Sequence, residues 1–212
     1  TSEACDIAKF AQEIGANGIL SIAPYYNKPT QEGLYQHYKT IAQSVEIPFM
    51  LYNVPGRTGV DLLPETAIRL FDDVKNIYGI KEATGSLERA TAIISQRENF
   101  FVFSGDDSVD FAMLASGAKG IISVTSNLVP NLKSKLVSSV MSGDFQTALK
   151  IHNDLFELNK VLFCESNPIP IKAAMYLSGL LDSLEFRLPL TNPSNETLDK
   201  LEKILKKYEV VK

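Results

Sequence analysis

The sequence predicts an α/β fold in which parallel β-strands alternate with amphipathic helices. Five short β-rich runs are each followed by a loop and by a stretch with helical periodicity. The runs lie at residues 18–24, 48–54, 76–82, 100–106 and 120–126. Several of them are almost wholly apolar, which is typical of strands with both faces covered. Repetition at this pitch favours a parallel sheet, either doubly wound or closed as a (β/α)₈ barrel.

Helices are predicted between these strands from apolar periodicity and from the residues at their first turns. They lie at residues 31–45, 63–74, 86–97, 108–117 and 131–142, and an earlier helix covers residues 3–14. Pro64 favours a helix start, because a proline in the first turn gives up no hydrogen bond that the helix needs. Ser86 and the pair Asp107-Ser108 are expected to act as N-terminal caps.

The barrel is favoured over the doubly wound sheet by the residues at the strand ends. Neither GxGxxG nor GxxxxGK[ST] comes after any strand. Polar and reactive side chains cluster instead after four successive strand ends, the face at which barrel active sites are built. The groups are Tyr25-Tyr26-Asn27, Tyr52-Asn53, Lys81-Glu82 and Ser104-Gly105-Asp106. Residues 1–142 are therefore predicted to form strands 4–8 of a (β/α)₈ barrel, with about three βα units missing at the N-terminus.

The residues after the last strand are predicted to form a separate C-terminal appendage, at 143–212. Three helical patterns, at 144–163, 169–181 and 196–208, follow one another without a strand between them. In the last pattern, apolar residues recur on one face and lysines occupy the other. A packing role is favoured over a catalytic one for this appendage.

The composition argues against several classes of partner and cofactor. The 212 residues are 45% hydrophobic and 22% charged, which is typical of a globular protein. A net charge of −4 without a basic run gives no reason to expect a nucleic acid or an anionic membrane as a partner. Cys5 and Cys164 lie far apart, which favours reduced thiols and a cytoplasmic location. His37 and His152 lack ligand spacing around them, so no metal is expected.

Lys81 is the candidate nucleophile. It ends the apolar run that begins at Asn76 and would lie at the C-terminal mouth of a buried strand. A free lysine has a pKa of about 10.4 and is protonated at neutral pH, whereas burial in an apolar pocket favours the neutral, nucleophilic amine. For this lysine taken alone, a strand-end position with the amine in water is the competing interpretation.

Three motifs resemble the dihydrodipicolinate synthase family, whose members are pyruvate-dependent aldolase-type barrels. They are PYYNKP at 24–29, YNVPGRTG at 52–59 and GIKEATG at 79–85. The motifs occur in the family's order, each at a strand end, and the likeness extends from residue 1 to about residue 193. The family's first three strands, with a threonine-bearing GTTGE-type loop, are absent from this sequence.

The resemblance implies a lyase that condenses pyruvate with L-aspartate 4-semialdehyde to give 4-hydroxy-tetrahydrodipicolinate, in diaminopimelate and lysine biosynthesis. Lys81 would form a Schiff base with pyruvate, so no separate cofactor is implied. Tyr52 would shuttle protons, and Tyr26 would relay them across a tight dimer interface in a homo-oligomer, expected to be a tetramer. The threonine partner of Tyr26 would lie in the absent strands, which puts the activity of this chain alone in question.

The resemblance also assigns the remaining site residues. Arg57 would bind the carboxylate of the semialdehyde, because a guanidinium grips a carboxylate through two hydrogen bonds. Ile122 and Gly105 match positions that line the pyruvate pocket, although a packing role explains them equally well. Tyr25 and Glu3 match positions that hold a feedback-inhibiting lysine in some family members.

Two alternatives remain open from the sequence. Sister pyruvate-dependent aldolases, such as N-acetylneuraminate lyase or a 2-keto-3-deoxy sugar acid aldolase, share the lysine and the tyrosine. They are not expected to carry Arg57 within VPGRTG or the GIKEATG form of the lysine motif. The other alternative is a truncated, non-catalytic barrel that serves only as an interaction or folding unit.

Overall fold

The computed structural model of the chain describes residues 1–208. The chain divides into two compact units, Thr1–Ile122 and Ser123–Lys212. Residues 209–212, the end of the second unit and of the predicted appendage, lie outside the described residues. The boundary predicted after residue 142 separates the partial barrel from the helical appendage. It is a different division from that into compact units, and it stays a prediction.

The first unit is built on a parallel sheet that has five strands within the described residues, in the order β1-β2-β3-β4-β5. The strands are β1 Ile19–Ile22, β2 Phe49–Asn53, β3 Ile77–Glu82, β4 Phe101–Ser104 and β5 Gly120–Ile121. Each strand pairs in parallel with the next along the chain. The predicted α/β class and parallel sheet are therefore confirmed, and β1 and β5 are the sheet edges within residues 1–208.

The fifth strand is much shorter than predicted. The predicted strand at 120–126 is wrong beyond Ile121, because Thr125–Asn127 forms a 3₁₀ turn. Ser126 N donates to Ser123 Oγ at 2.9 Å, and Ser126 Oγ donates to the Ser123 carbonyl at 2.9 Å. Serine side chains that bond to nearby backbone compete with a strand ladder, which explains the early end.

Helices cover one face of the sheet in the first unit. They are α1 Ser2–Glu13, α2 Gln31–Ala42, α3 Pro55–Thr58, α4 Pro64–Asp73, α5 Leu87–Ile94 and α6 Asp110–Ala115. Side chains alternate along a strand, so Phe49, Leu51 and Ile80 point to one face and are fully buried in the main apolar cluster. Tyr52 and Lys81 point to the other face and are half-buried.

The helix starts follow the predictions at two positions and depart from them at a third. The fourth helix begins at Pro64, and the Ser86 side chain caps the fifth by accepting from Arg89 N. The cap predicted at Asp107-Ser108 is wrong, since α6 begins at Asp110 without a side-chain cap bond. Asp106 binds Ser108 in a turn before the helix instead. Its Oδ1 accepts from Ser108 N at 2.9 Å and from Ser108 Oγ at 2.6 Å.

The second unit is helical in its described part. Its helices are α7 Pro130–Met141, α8 Phe145–Asp154, α9 Phe156–Val161, α10 Ile169–Leu177 and α11 Asn195–Lys207. The single helix predicted at 144–163 is wrong, because it is divided at Leu155, whose φ of −85° and ψ of −5° lie outside the regular α-helical values. Ser194 caps α11 by accepting from Thr197 N.

Two kinds of feature are absent from residues 1–208. No helix in this range combines the length and apolar character needed to cross a membrane. Within the same range, no group of three or more His, Cys, Asp or Glu side chains is placed to hold a metal ion.

Candidate active site

Strand register brings Lys81 and Tyr52 together. The two residues are Cα partners across β2 and β3, and the row continues to Ile22 on β1 and Phe103 on β4. Lys81 Nζ lies 4.3 Å from the centroid of the Tyr52 ring. The Lys81 amine therefore lies against the Tyr52 ring at the C-terminal edge of the sheet, and both residues are half-buried there.

A bulge in β3 decides this pairing. Phe49 pairs with Ile77, but Met50 pairs with Gly79, so Tyr78 is an extra residue in the ladder. Without the extra residue, the same count along β2 would place residue 80 rather than Lys81 opposite Tyr52. A Cβ at Gly79 would lie 2.8 Å from the Phe101 carbonyl oxygen, so the close approach of β4 requires glycine there.

The surroundings of Lys81 favour its neutral form. Burial lowers the pKa of Lys81, since a partly desolvated site disfavours the ammonium ion. The Asp107 carboxylate opposes this by favouring the ammonium, and the Arg57 guanidinium adds to the lowering. Burial raises the pKa of Tyr52, with Arg57 opposing that shift. The pair thus combines an amine that deprotonates more easily with a phenol that keeps its proton.

Gly105 packs directly on the Lys81 side chain. A Cβ built at this position would lie 2.8 Å from Lys81 Cε, 3.0 Å from Lys81 Cγ and 2.8 Å from Ala83 Cβ. Distances this short force a shift of the neighbouring side chains. The glycine therefore gives the Lys81 chain the space it occupies, which is a specific reason for glycine at this strand end.

Replacing Gly105 by alanine is expected to displace the Lys81 side chain. Gly105→Ala should lower the free energy of unfolding by about 1–3 kcal/mol and slow the reaction of Lys81 with a carbonyl compound. Chemical denaturation and the rate of borohydride trapping would measure the two effects. Gly56→Ala, where an added Cβ has open space, is the matched control. Unchanged trapping in Gly105→Ala would contradict this account.

Arg57 lies in α3, a single turn that the sequence did not predict because four residues show no periodicity. The turn begins with Pro55 and ends at Gly59, whose φ of +73° suits glycine. Arg57 is exposed, and its charge influences the pKa of both Lys81 and Tyr52. The guanidinium therefore contributes to the electrostatic surroundings of the Lys81–Tyr52 pair.

Tyr25 and Tyr26 lie in the loop after β1 and are exposed to 70% and 92%. Tyr26 adopts a φ of +70°, and Lys28 adopts a φ of +44°. A left-handed conformation is uncommon for a residue other than glycine, and such strain is frequent at functional sites. Within residues 1–208, Tyr26 makes no hydrogen bond or ring contact with Lys81 or Tyr52. The structure thus presents both tyrosines outward.

The other two predicted residues lie at different places in the first unit. Glu3 is exposed in the first turn of α1. Ile122 N donates to the Ser104 carbonyl at 2.8 Å, which continues the ladder past β5. The Ile122 side chain lines an open apolar concavity together with Leu20, Met50 and Tyr78.

A polar cluster on the opposite face of the same strand ends was only partly predicted. Glu82, one of the polar residues noted at the strand ends, is fully buried and accepts from Thr84 N at 2.9 Å. Asn53, Asp61 and Arg89 join it, and the sequence analysis assigned no role to these three residues. Asn53 directly follows Tyr52 and Glu82 directly follows Lys81, so strands that pair Tyr52 with Lys81 also pair Asn53 with Glu82. This order of residues was the signal available in the sequence.

Comparison with known proteins shows the family to which the chain belongs. Residues 1–208 match the sequence profile of the Dihydrodipicolinate synthetase family. The chain belongs to this family. A protein of Aliarcobacter butzleri (strain RM4018) named 4-hydroxy-tetrahydrodipicolinate synthase is 85% identical over 212 residues, which cover 100% of this chain and 72% of the relative.

Solved structures of dihydrodipicolinate synthases share the fold. The chloride-inhibited enzyme from Acinetobacter baumannii complexed with pyruvate gives a TM-score of 0.95 at 46% identity, over 99% of this chain and 72% of that one. The enzyme from Cyanidioschyzon merolae with lysine bound gives a TM-score of 0.95 at 35% identity, over 99% and 71%. The resemblance predicted from the three motifs is confirmed, and so is the α/β fold with a parallel sheet.

Proposed function

We propose that this chain catalyses the condensation of pyruvate with L-aspartate 4-semialdehyde through a Schiff base on Lys81. The observation that carries the proposal is the half-buried Lys81 amine, 4.3 Å from the Tyr52 ring centroid at the C-terminal edge of the sheet. The high-identity relatives named 4-hydroxy-tetrahydrodipicolinate synthase support this reaction over those of the sister aldolases.

The first step is imine formation. The neutral Lys81 amine attacks the C2 carbonyl carbon of pyruvate, and loss of water gives an iminium ion. The iminium withdraws electrons from C3, so a methyl proton can leave to give an enamine. The enamine carbon then attacks the aldehyde carbon of the second substrate, forming a C–C bond while the aldehyde oxygen takes up a proton. Since the imine is the electron sink, no separate cofactor is needed.

Tyr52 is proposed to carry the protons of these steps. A phenol can both donate and accept a hydrogen bond, and the raised pKa of Tyr52 keeps it protonated near neutral pH. Tyr26 is proposed to continue the relay into the site of a second copy of the chain. Its outward orientation and left-handed backbone are the features that support this role.

Arg57 is proposed to bind the carboxylate of the semialdehyde. Arg57→Ala should raise the KM for this substrate by roughly 10–100-fold, because one charge-assisted interaction contributes about 1.5–3 kcal/mol. The rate at which pyruvate and borohydride label Lys81 should stay within about twofold, since pyruvate enters before the semialdehyde. Steady-state kinetics with each substrate varied would measure both effects.

Arg97→Ala is the matched control for this variant. Arg97 is a half-exposed arginine of the same unit whose guanidinium pairs with Asp72 at 2.7 Å. Its removal changes the net charge equally and is expected to leave both KM values unchanged. Equal KM values for the semialdehyde in Arg57→Ala and Arg97→Ala would refute the carboxylate-binding role.

The direct test of the reaction is chemical trapping. Incubation with pyruvate and borohydride should reduce the imine to a stable adduct, and peptide mass mapping should place it on Lys81. Turnover should be faster with aspartate semialdehyde than with sugar acids, which separates this reaction from those of the sister aldolases. Absence of an adduct would sink the imine mechanism for this chain and favour the non-catalytic fragment.

The lowered pKa of Lys81 leads to a pH prediction. Only the neutral amine attacks, so the trapping rate should rise with pH and level off above a midpoint lower than that of an ordinary lysine. Asp107→Asn removes the carboxylate that favours the ammonium, and the midpoint should then move to still lower pH. Initial trapping rates over a pH series would measure both midpoints. A midpoint that moves upward in Asp107→Asn would contradict this electrostatic account.

The remaining site residues are proposed in the roles that the family resemblance implies. Gly105 and Ile122 line the pyruvate pocket, and the contact of Gly105 with the Lys81 chain supports the first of these. Tyr25 and Glu3 are proposed to bind a feedback-inhibiting lysine. Their exposure leaves them available to a ligand, and a dihydrodipicolinate synthase with lysine bound is among the structures that share the fold.

The wider setting is also proposed. We place the enzyme in the cytoplasm as a homo-oligomer with a tight dimer, expected to be a tetramer, without nucleic-acid or membrane partners. The parallel sheet is proposed to form part of a (β/α)₈ barrel wall, with the active site at its C-terminal mouth.

A further inference from the structure

Next to Tyr52 and Lys81, on the other face of the sheet, lies a buried polar cluster that the proposed reaction does not use. Asn53 and Glu82 are Cα partners at the ends of β2 and β3, and both are fully buried. They follow Tyr52 and Lys81 directly, so alternation turns their side chains to the opposite face of the sheet. Asn53 Nδ2 donates to Glu82 Oε2 at 3.4 Å, which ties the two strand ends together.

Arg89 connects this cluster to the segment that follows Arg57. Its side chain is 15% exposed, and its Nε lies 3.3 Å from Glu82 Oε2. Its Nη1 donates to Asp61 Oδ2 at 2.9 Å, and its Nη2 donates to the Leu62 carbonyl at 2.6 Å. The guanidinium thus uses all three of its nitrogens on the end of β3 and on the loop after α3.

The loop that carries Arg57 is fixed at both ends by these contacts. It leaves the sheet after Asn53, runs through α3 and returns at Leu62, whose N–H donates to Asn53 Oδ1 at 3.0 Å. Asp61 Oδ1 accepts from Asn53 Nδ2 at 2.9 Å. Arg89 holds Asp61 and Leu62 from the other side, so residues 54–61 form a closed loop pinned between Asn53 and Arg89.

We propose that Arg89 is a positioning residue that fixes the loop bearing Arg57 and thereby sets the affinity for the carboxylate of the aldehyde substrate. The inference rests on the proposed function of Arg57. An arginine suits this position because its planar fork reaches three acceptors at fixed angles, which a lysine ammonium does not reproduce. Small misplacement of a substrate-binding group is costly, so the loop requires a rigid support.

Arg89→Lys is the variant that tests the proposal, because it keeps the charge and removes the fork. The KM for L-aspartate 4-semialdehyde should rise roughly tenfold. The KM for pyruvate and the rate of borohydride trapping on Lys81 should stay within about twofold of the unchanged protein. If Arg89 contributed only to folding, Arg89→Lys would lower the fraction of active protein and leave both KM values unchanged.

A double variant shows whether Arg89 acts through Arg57. If it does, Arg57→Ala combined with Arg89→Lys should have the same KM for the aldehyde as Arg57→Ala alone, since residues that act as a unit are not additive. Arg97→Lys, at the exposed pair with Asp72, is the matched control and should leave both KM values unchanged. Additive KM increases in the double variant would overturn the proposal.

The remaining outcomes separate the proposal from the function on which it rests. If Arg57→Ala raises the aldehyde KM and Arg89→Lys does not, the positioning role fails and the carboxylate-binding role stands. If Arg57→Ala has no effect, both fail, while labelling of Lys81 still tests the imine. Should Arg89→Lys not fold, Asp61→Asn replaces it, because this change at a half-exposed position removes the negative charge that faces Arg89 and keeps the shape of the side chain. Its aldehyde KM must also rise selectively for the proposal to stand.

Discussion

Lys81→Ala is expected to abolish imine formation and to reduce turnover by at least about 10³-fold, because the electron sink depends on a covalent bond to this amine. Burial lowers the pKa of this amine, and the charges of Asp107 and Arg57 shift that pKa further in opposite directions. None of these groups can take the place of the amine in the covalent step. Mass mapping after treatment with pyruvate and borohydride should find no adduct on the peptide that contains residue 81. Rates with aspartate semialdehyde would measure the loss of turnover.

Two controls make this result specific. Lys81→Arg keeps a positive charge at the strand end but cannot form the imine, so it should be as inactive as the alanine variant. Lys75→Ala changes an exposed lysine just before β3 and should leave both labelling and turnover intact. An adduct that persists in Lys81→Ala would show that another amine is the nucleophile.

Tyr52→Phe is expected to separate imine formation from the proton-transfer steps. The ring that lies 4.3 Å from Lys81 Nζ remains, so pyruvate should still label Lys81. The hydroxyl is lost, and turnover should fall by about 10²–10⁴-fold, the usual contribution of a positioned acid–base group. Labelling by borohydride and steady-state rates, measured on the same preparation, would show the split.

Tyr35→Phe is the matched control for the phenol. Tyr35 lies in α2, and its hydroxyl donates to Asp73 Oδ2 of α4 at 2.6 Å. This variant loses two hydrogen bonds, the one to Asp73 and the one that Lys39 Nζ donates to the Tyr35 hydroxyl at 3.0 Å, and should keep full turnover. If Tyr52→Phe retained the activity of Tyr35→Phe, Tyr52 would not be the proton shuttle.

Much of the first unit could be predicted because its elements are long and strongly periodic. The apolar runs at 48–54 and 76–82 contain β2 and β3, α4 begins at Pro64, and Ser86 caps α5 as expected. Predictions failed where local hydrogen bonds of side chains override the apolar periodicity, or where an element is too short to show any periodicity. Hydrogen bonds between Ser123 and Ser126 end the predicted fifth strand, and the four-residue α3 is too short to have a period.

The candidate site was predictable as a set of residue types but not as a set of contacts. A lysine at the end of an apolar strand, a tyrosine one strand earlier and an arginine in a Pro-Gly turn all lie at the sheet edge that was expected. The Arg89 cluster was not predicted, because its members are spread over 37 positions, from Asn53 to Arg89, and become neighbours only when the strands pair. No local pattern marks such a set.

The sequence by itself determined the alternation of strands and helices and the family, and it predicted Lys81 as the nucleophile, because these depend on local periodicity and on contiguous motifs. Only the tertiary structure decided which side chains face Lys81. The extra residue Tyr78 shifts the ladder by one position, and this shift pairs Lys81 with Tyr52 and Glu82 with Asn53. A register of this kind is set by contacts between distant strands, so it has no signature within either strand alone.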